Sequence, residues 1–221
     1  MSTLQRPTKQ APKKTKPRPS DPHPTSGKPG EIRIIGGQWK RIRLTVASKP
    51  GLRPTPDRVR ETLFNWLGQD LGGWRCVDVF AGTGVLGFEA ASRGAAEVHI
   101  FEQDPALVAQ LKATQIKLQA GATQIQRGDG VAALRQLAPA SVDLVFLDPP
   151  FESGLYEPAL GAAAKVLQPK GFVYLEGPSK WTDELLAPFG LRVYRYLKAG
   201  AVHAHLLQAQ GADVGDTGEA A

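Results

Sequence analysis

Cysteine, methionine and aromatic side chains are scarce in this chain, and acidic side chains are scarce over its first quarter. Cys76 is the single cysteine of 221 residues, which excludes an intrachain disulfide. Its place in an apolar run fits a reducing, cytoplasmic setting. No apolar stretch approaches the length of a membrane span, and the N-terminus has no hydrophobic signal core, so no membrane partner is expected. No Cys/His/Asp/Glu cluster completes a metal site. His203 and His205 share a strand face without a third donor and read as surface or packing residues. Serine and cysteine lack a nucleophile–base signature, which excludes the common covalent hydrolases.

Charge is unevenly placed. Residues 1–30 hold seven Lys/Arg against Asp21, and residues 31–60 hold eight against Glu31 and Asp57. The remaining 161 residues hold twelve bases and eighteen acids. A basic front end on an acidic body fits a polyanionic partner approached from one side. Residues 1–30 also carry seven prolines and few large apolar side chains. Such a segment buries too little surface to offset its ordering entropy and is expected to be a disordered basic tail. Residues 211–221, small and acidic, are expected to be a second.

Between the tails, the first unit spans residues 31–70. Ile32 and Ile34 alternate with Arg33, Gly36-Gly37 reads as a turn, and Ile42 and Leu44 alternate with Arg41 and Arg43. This predicts a β-hairpin with one apolar and one basic face. After Leu52-Arg53-Pro54, Thr55 reads as a helix N-cap, Pro56 as the first helical residue and Asp57 as a complement to the helix dipole. The helix runs to about Leu67 with Val59, Leu63, Trp66 and Leu67 on its buried stripe. Arg58, Glu61 and Asn65 fall on the opposite side, which is either a plain solvated face or a polar lid over a cofactor.

From residue 71 to 210 the pattern is α/β. Strands at 75–80, 97–102, 124–127, 142–147 and 171–176 alternate with helices at about 85–93, 105–119, 130–137 and 155–167. Strict alternation implies a parallel sheet covered on both faces, with ligands at the carboxyl ends of its strands. Residues 191–197 and 201–208, joined by Lys198-Ala199-Gly200, are too close for a crossover helix and predict an antiparallel hairpin at one sheet edge.

The chain is organised around Asp78-Val79-Phe80-Ala81-Gly82-Thr83-Gly84, a strand end, a glycine loop and a helix start. Glycines let backbone approach a ligand, and the free N–H groups of the helix favour its electronegative atoms. Gly82 to Gly87 satisfies G-x-G-x-x-G, and Glu102 follows Gly82 by twenty residues, the spacing of a dinucleotide site. Asp78 beside the loop suits a ligand with an ammonium group better than a pyrophosphate. Asp129, in Gly128-Asp129-Gly130, stands where an adenine amino group could donate, although Asp-Gly is also an ordinary turn. These acids favour S-adenosylmethionine over a nicotinamide. The candidate cofactor residues are Asp78, Phe80, Gly82, Gly84, Glu102 and Asp129.

A second apolar run ends in Asp148-Pro149-Pro150-Phe151. Two prolines remove N–H donors and aim carbonyls outward, and Asp148 adds a carboxylate. An exocyclic base amine is a poor nucleophile because its lone pair is delocalised into the ring. Donating its N–H groups to the Asp148 carboxylate and the Pro149 carbonyl draws it towards tetrahedral geometry, with its lone pair facing a methyl sulfonium. Phe151 offers a ring for an extruded base. Taken alone, the same residues make a proline-rich turn with a capping acid and a core phenylalanine.

Ile34-Ile35-Gly36-Gly37-Gln38-Trp39, Leu52-Arg53-Pro54-Thr55, the run from Asp57 to Trp66, Asp78 to Gly84 and Asp148 to Phe151 together resemble the RsmD family, over about residues 31–208. These are bacterial methyltransferases of 16S rRNA, named for the exocyclic N2 of guanine 966. The resemblance implies a Rossmann-like class I methyltransferase with a seven-stranded sheet and a C-terminal antiparallel hairpin, preceded by a small hairpin and helix extension. It also implies S-adenosylmethionine and the small ribosomal subunit or its assembly intermediate as partner. A monomer is expected. Arg33, Arg41, Arg43, Arg53, Arg58 and Arg60 are expected to grip phosphates. A DNA adenine-N6 methyltransferase and a non-catalytic assembly factor that only binds RNA are the competing readings.

Overall fold

The computed structural model describes residues 30–46, 49, 55–151 and 153–211. The expectations for the two tails and for Arg53 lie outside these residues, apart from Gly30 and Gly211 at the margins.

Strand-forming runs and amphipathic helices alternate as the hydrophobic pattern requires. The chain runs β1 (Gly30–Arg33), β2 (Arg43–Val46), α1 (Asp57–Trp66), β3 (Arg75–Asp78), α2 (Val85–Ser92), β4 (Glu97–Glu102), α3 (Pro105–Leu118), β5 (Thr123–Arg127) and α4 (Gly130–Leu134). It continues with β6 (Val142–Leu147), α5 (Tyr156–Val166), β7 (Leu167–Gly177), α6 (Asp183–Leu186), β8 (Leu191–Ala199) and β9 (Val202–Ala209). Seven strands form one sheet in the order β5-β4-β3-β6-β7-β9-β8. The first five are parallel, and β9 pairs antiparallel with both β7 and β8. The predicted edge hairpin is therefore present. The last strand lies inside the sheet and the one before it forms the edge.

Period-two alternation sorts the sheet's side chains into two cores. Cys76, Ile100, Leu144, Phe146 and Tyr174 face one layer with α1, α2 and α3. Val77, Phe101, Val145, Leu147 and Leu175 face the other, with α4, α5 and Leu186 of α6. β3 sends the chain to β4 on one side, and β6 lies on its other side. This reversal opens a crevice at the carboxyl ends of β3 and β6, where ligands of open α/β sheets bind.

The N-terminal extension packs on the first of these layers. β1 and β2 pair with Ile32 opposite Leu44 and Arg33 opposite Arg43. The turn is wider than a glycine pair predicts. Residues 34–42 loop out because their backbone groups bond to α2 as well as to each other: Gln38 N–H donates to Ser92 C=O at 2.7 Å and Trp39 N–H to Ser92 Oγ at 2.9 Å. Gly37, with φ of +69°, sits so close to Ser92 C=O that a Cβ would lie 1.9 Å from it. Helix α1 starts at Asp57 with Pro56 as its cap residue, not Thr55. Phe64 is fully buried on its inner face, whereas Trp66 is only partly buried.

Candidate active site

The glycine loop is held by acids at neighbouring strand tips. Gly82 and Gly84 have φ of +51° and +73°, a conformation that costs other residues energy. A Cβ on Gly84 would also lie 2.3 Å from Leu111 Cδ2, so the helix start packs tightly on α3. Gly82 N–H donates to Glu102 Oε2 and Asp104 N–H to Glu102 Oε1, both at 2.8 Å. Each carboxylate oxygen keeps a further lone pair. Asp78 accepts from Gly87 N–H at 3.1 Å and is otherwise buried. Burial, opposed by that hydrogen bond and reinforced by the nearby Glu102 charge, pushes its carboxyl up to about 7. A buried acid in this state is a ready partner for a cationic ligand. Phe80 is half-buried, packed on the second core. Asp129 is exposed and caps α4, its Oδ1 accepting from both Val131 and Ala132 N–H. The turn role of this acid is thus present in the structure.

Asp148 follows β6 directly. Because Asp78 stands opposite Phe146 in a parallel register, the Asp148 turn and the glycine loop open on the same rim. Asp148 is half-buried, Pro149 buried, and Phe151 is 38% exposed. Pro150 C=O accepts from Ser153 N–H at 3.0 Å, which closes the turn. Burial, then the charges of Glu176 and Asp78, raise the Asp148 carboxyl well above the usual carboxylate range.

Two residues of this rim, Glu176 and Tyr156, escape the motif-based reading. Glu176 is buried at the end of β7 and accepts from Tyr174 Oη–H at 2.7 Å and from the Thr55 hydroxyl. Thr55 thus ties the segment before α1 to the sheet and does not cap the helix. The Tyr156 hydroxyl, at the start of α5, is buried without a hydrogen-bond partner among the described residues. Burial and then the charges of Asp148 and Glu176 push it up to about 12. A signal for Glu176 was present: like Asp78, Glu102 and Asp148, it is an acid closing an apolar strand run.

The arginines divide. Arg33, Arg41, Arg43 and Arg58 are exposed, although Arg33 pairs with Asp57 at 2.6 Å and Arg43 with Glu31 at 2.8 Å. Arg60 is a correction. It has no exposed surface, and its guanidinium donates to Glu89, Asp57, Thr55 C=O and Arg33 C=O. Its position on the inner face of α1, opposite the buried Glu89, turns it away from any phosphate. His205 is also buried. Its Nε2 accepts from Trp181 N–H at 3.0 Å, and burial first of all lowers it to about 4. His203 Nδ1 pairs with Tyr196 Oη at 2.8 Å. Among the described residues no group of acids, histidines and cysteines is placed to hold a metal, and no helix is long and apolar enough to cross a membrane.

A doubly wound sheet whose seventh strand enters antiparallel, with a glycine loop after β3 and an acid at the tip of β4, has the architecture of a Rossmann-like methyltransferase. Solved structures share it. That of yhhF from Escherichia coli is 39% identical with a TM-score of 0.71, covering 82% of this chain and 99% of that one. A Haemophilus influenzae protein, HI0767, is 33% identical with a TM-score of 0.66, covering 81% and 99%. The family model "Conserved hypothetical protein 95" matches residues 32–208. Ribosomal RNA small subunit methyltransferase D of E. coli is 48% identical over 128 residues, 58% of this chain and 64% of that protein. The chain thus matches somewhat less than two thirds of that relative's length. The H. influenzae protein of the same name is 39% identical over 171 residues, 72% and 89% respectively. The chain belongs to the RsmD family.

Proposed function

We propose that this protein transfers a methyl group from S-adenosylmethionine to the exocyclic N2 amine of a guanine in small-subunit rRNA. The observation that carries the reading is the shared rim: Asp148 and Pro149 stand across the β3/β6 crevice from the glycine loop and the buried Asp78. RNA enters through the names of the relatives, ribosomal RNA small subunit methyltransferase D.

The residues present fit the cofactor. Asp78, buried and without a cationic partner among the described residues, would hold its ammonium end. Glu102, with spare lone pairs at the tip of β4, would accept from its ribose, and the open backbone at Gly82 and Gly84 leaves room for close approach. When bound, S-adenosylmethionine supplies an electrophilic methyl group. The chain supplies position. Asp148 and the Pro149 carbonyl accept the two N–H groups of N2, which draws the amine out of conjugation with the ring and aims its lone pair. Phe151, partly exposed beside them, stacks on the base once it has left its helix. The exposed Arg33, Arg41, Arg43 and Arg58 meet phosphates on the flank of the crevice.

The test uses labelled S-adenosylmethionine with small ribosomal subunits from a strain lacking this gene, with duplex DNA in parallel. Label is expected on 16S rRNA, at a guanine identified as N2-methylguanine by mass spectrometry; label on DNA adenine would overturn the assignment. Asp148→Ala is expected to lower transfer at least about a hundredfold while leaving cofactor affinity nearly intact, as calorimetry would show.

A further inference from the structure

Glu176 is buried on the same rim as Asp148, and the reaction just described gives it no part. β6 and β7 are parallel, with Leu147 opposite Leu175, so Asp148 and Glu176 form the next pair along. Both lie on the sheet face of Phe146 and Tyr174, on strands about 4.8 Å apart. Their carboxyl groups are therefore neighbours. Among the described residues, neither hydrogen-bonds to a lysine or arginine. The fully buried guanidinium of Arg60 on α1 is taken by Glu89 and Asp57.

Glu176 also has a structural job, since it accepts from Tyr174 and Thr55. A neutral glutamine oxygen could accept both bonds. Only the carboxylate places a charge beside Asp148; burial raises the Glu176 carboxyl above its ordinary range, and the two hydroxyl donors oppose that by favouring the charged form. Amine methylation makes a use for it. As the N2–CH3 bond forms and the S–CH3 bond breaks, the positive charge passes from sulfur to N2, and N2 must then lose one proton. The Asp148 carboxylate already accepts an N–H from that nitrogen.

We propose that Glu176 is a positioning residue for proton transfer: its charge, held against Asp148, makes the Asp148 carboxylate the acceptor of the proton that N2 sheds. The inference rests on the amine-methylation reading of the site. It agrees with the order of influences on Asp148, where the Glu176 charge follows burial and precedes the charge of Asp78. The other titratable or charged groups facing the pair are Asp78 on β3, Tyr174 on β7, Tyr156 on α5 and Arg60 on α1. The two tyrosines are held protonated, chiefly by burial, and so compete for no proton near neutral pH.

The experiment measures single-turnover methyl transfer to unmethylated small ribosomal subunits across pH, using the full chain with saturating S-adenosylmethionine. Glu176→Gln is expected to keep its cofactor affinity and to lose about tenfold or more of the plateau rate. Its acid limb should move to lower pH by about one unit, because Asp148 no longer ionises against a neighbouring charge. Glu176→Asp, which keeps the charge, should return the limb towards that of the unmodified protein. An acid limb that stays in place in Glu176→Gln, whatever the rate, leaves Glu176 a purely structural residue and overturns the proposal. Should Glu176→Gln not fold, a carboxyl NMR titration of the unmodified protein decides, with the Asp148 signal assigned by its loss in Asp148→Asn. An Asp148 signal with no inflection where Glu176 titrates overturns the proposal; two mutually displaced steps, with Asp148 ionising well above the ordinary value of about 4, are the expected result. Full activity in Asp148→Asn would instead refute the methylation reading itself, and a dead Asp148→Asn with an unmoved Glu176→Gln limb would refute only the role of Glu176.

Discussion

Under the proposed function, the buried Asp78 would link cofactor binding to pH. Its carboxyl is pushed up to about 7, largely by burial, and a cation binds only the ionised form. S-adenosylmethionine affinity is therefore expected to fall as pH drops below about 7, approaching tenfold per unit. Calorimetry across that range should show the slope, and Asp78→Asn should bind weakly and without it. The stability of the cofactor-free protein runs the other way. A carboxyl raised in the folded state contributes stability that is present below its unfolded value and is lost as pH rises through about 7. His205 has the opposite sign: lowered to about 4, it makes the fold less stable as pH falls from about 6.5 to about 4. Asp78 was readable as a candidate from its place beside the glycine loop. Its protonation was not, because that depends on Gly87 and Glu102 lying around it in space.

At the scale of elements, the N-terminal extension is fastened to the methyltransferase core by α2. Glu89, with no exposed surface, accepts from Arg60 at 2.7 Å and from Ile35 N–H at 2.6 Å, and lies 3.5 Å from Arg93. Arg93 in turn stacks over Phe64, 4.4 Å from the ring centre. Glu89→Ala would remove the buried acid shared by two guanidinium groups, leaving Arg60 only Asp57 and two carbonyls and Arg93 only Gln69, a loss of about 3–5 kcal/mol, or a fall in melting temperature on the order of 10 °C. Arg43→Ala removes an exposed pair with Glu31 and should alter stability by less than about 1 kcal/mol. Thermal unfolding of the two variants checks the contrast. The alternation of Ile32, Ile34, Ile42 and Leu44 disclosed the hairpin, and the helix after Thr55-Pro56-Asp57 was legible too. The width of the hairpin loop and the burial of Arg60 were not. Both follow from partners on α2, more than twenty residues away in the chain, and local periodicity carries no record of them.

For the whole molecule, the proposed RNA substrate makes charge asymmetry the feature to test. Residues 1–60 hold fifteen bases and three acids, against twelve and eighteen in the rest. Binding to small ribosomal subunits is expected to weaken steeply with salt, as condensed counterions are released from RNA. Arg41→Ala, at an exposed residue, should lower the salt slope by about one and leave the melting temperature unchanged. Arg60→Ala should do the reverse: unfold at lower temperature and leave the slope nearly unaltered. Filter binding over a salt series, beside thermal scans, separates the two.

The strand–helix alternation, the glycine loop with Glu102 twenty residues on, and the Asp148-Pro149-Pro150-Phe151 turn are local patterns. Composition and period were enough to disclose them, and with them the α/β class and the rim that the two turns share. Glu176 beside Asp148, the unpartnered Tyr156 hydroxyl and the buried Arg60–Glu89 pair depend on strand order and on which helix covers which face. A residue's proton affinity and exposure come from neighbours that the chain brings close only when it closes into a sheet, so the electrostatics of the site were decided by tertiary structure alone.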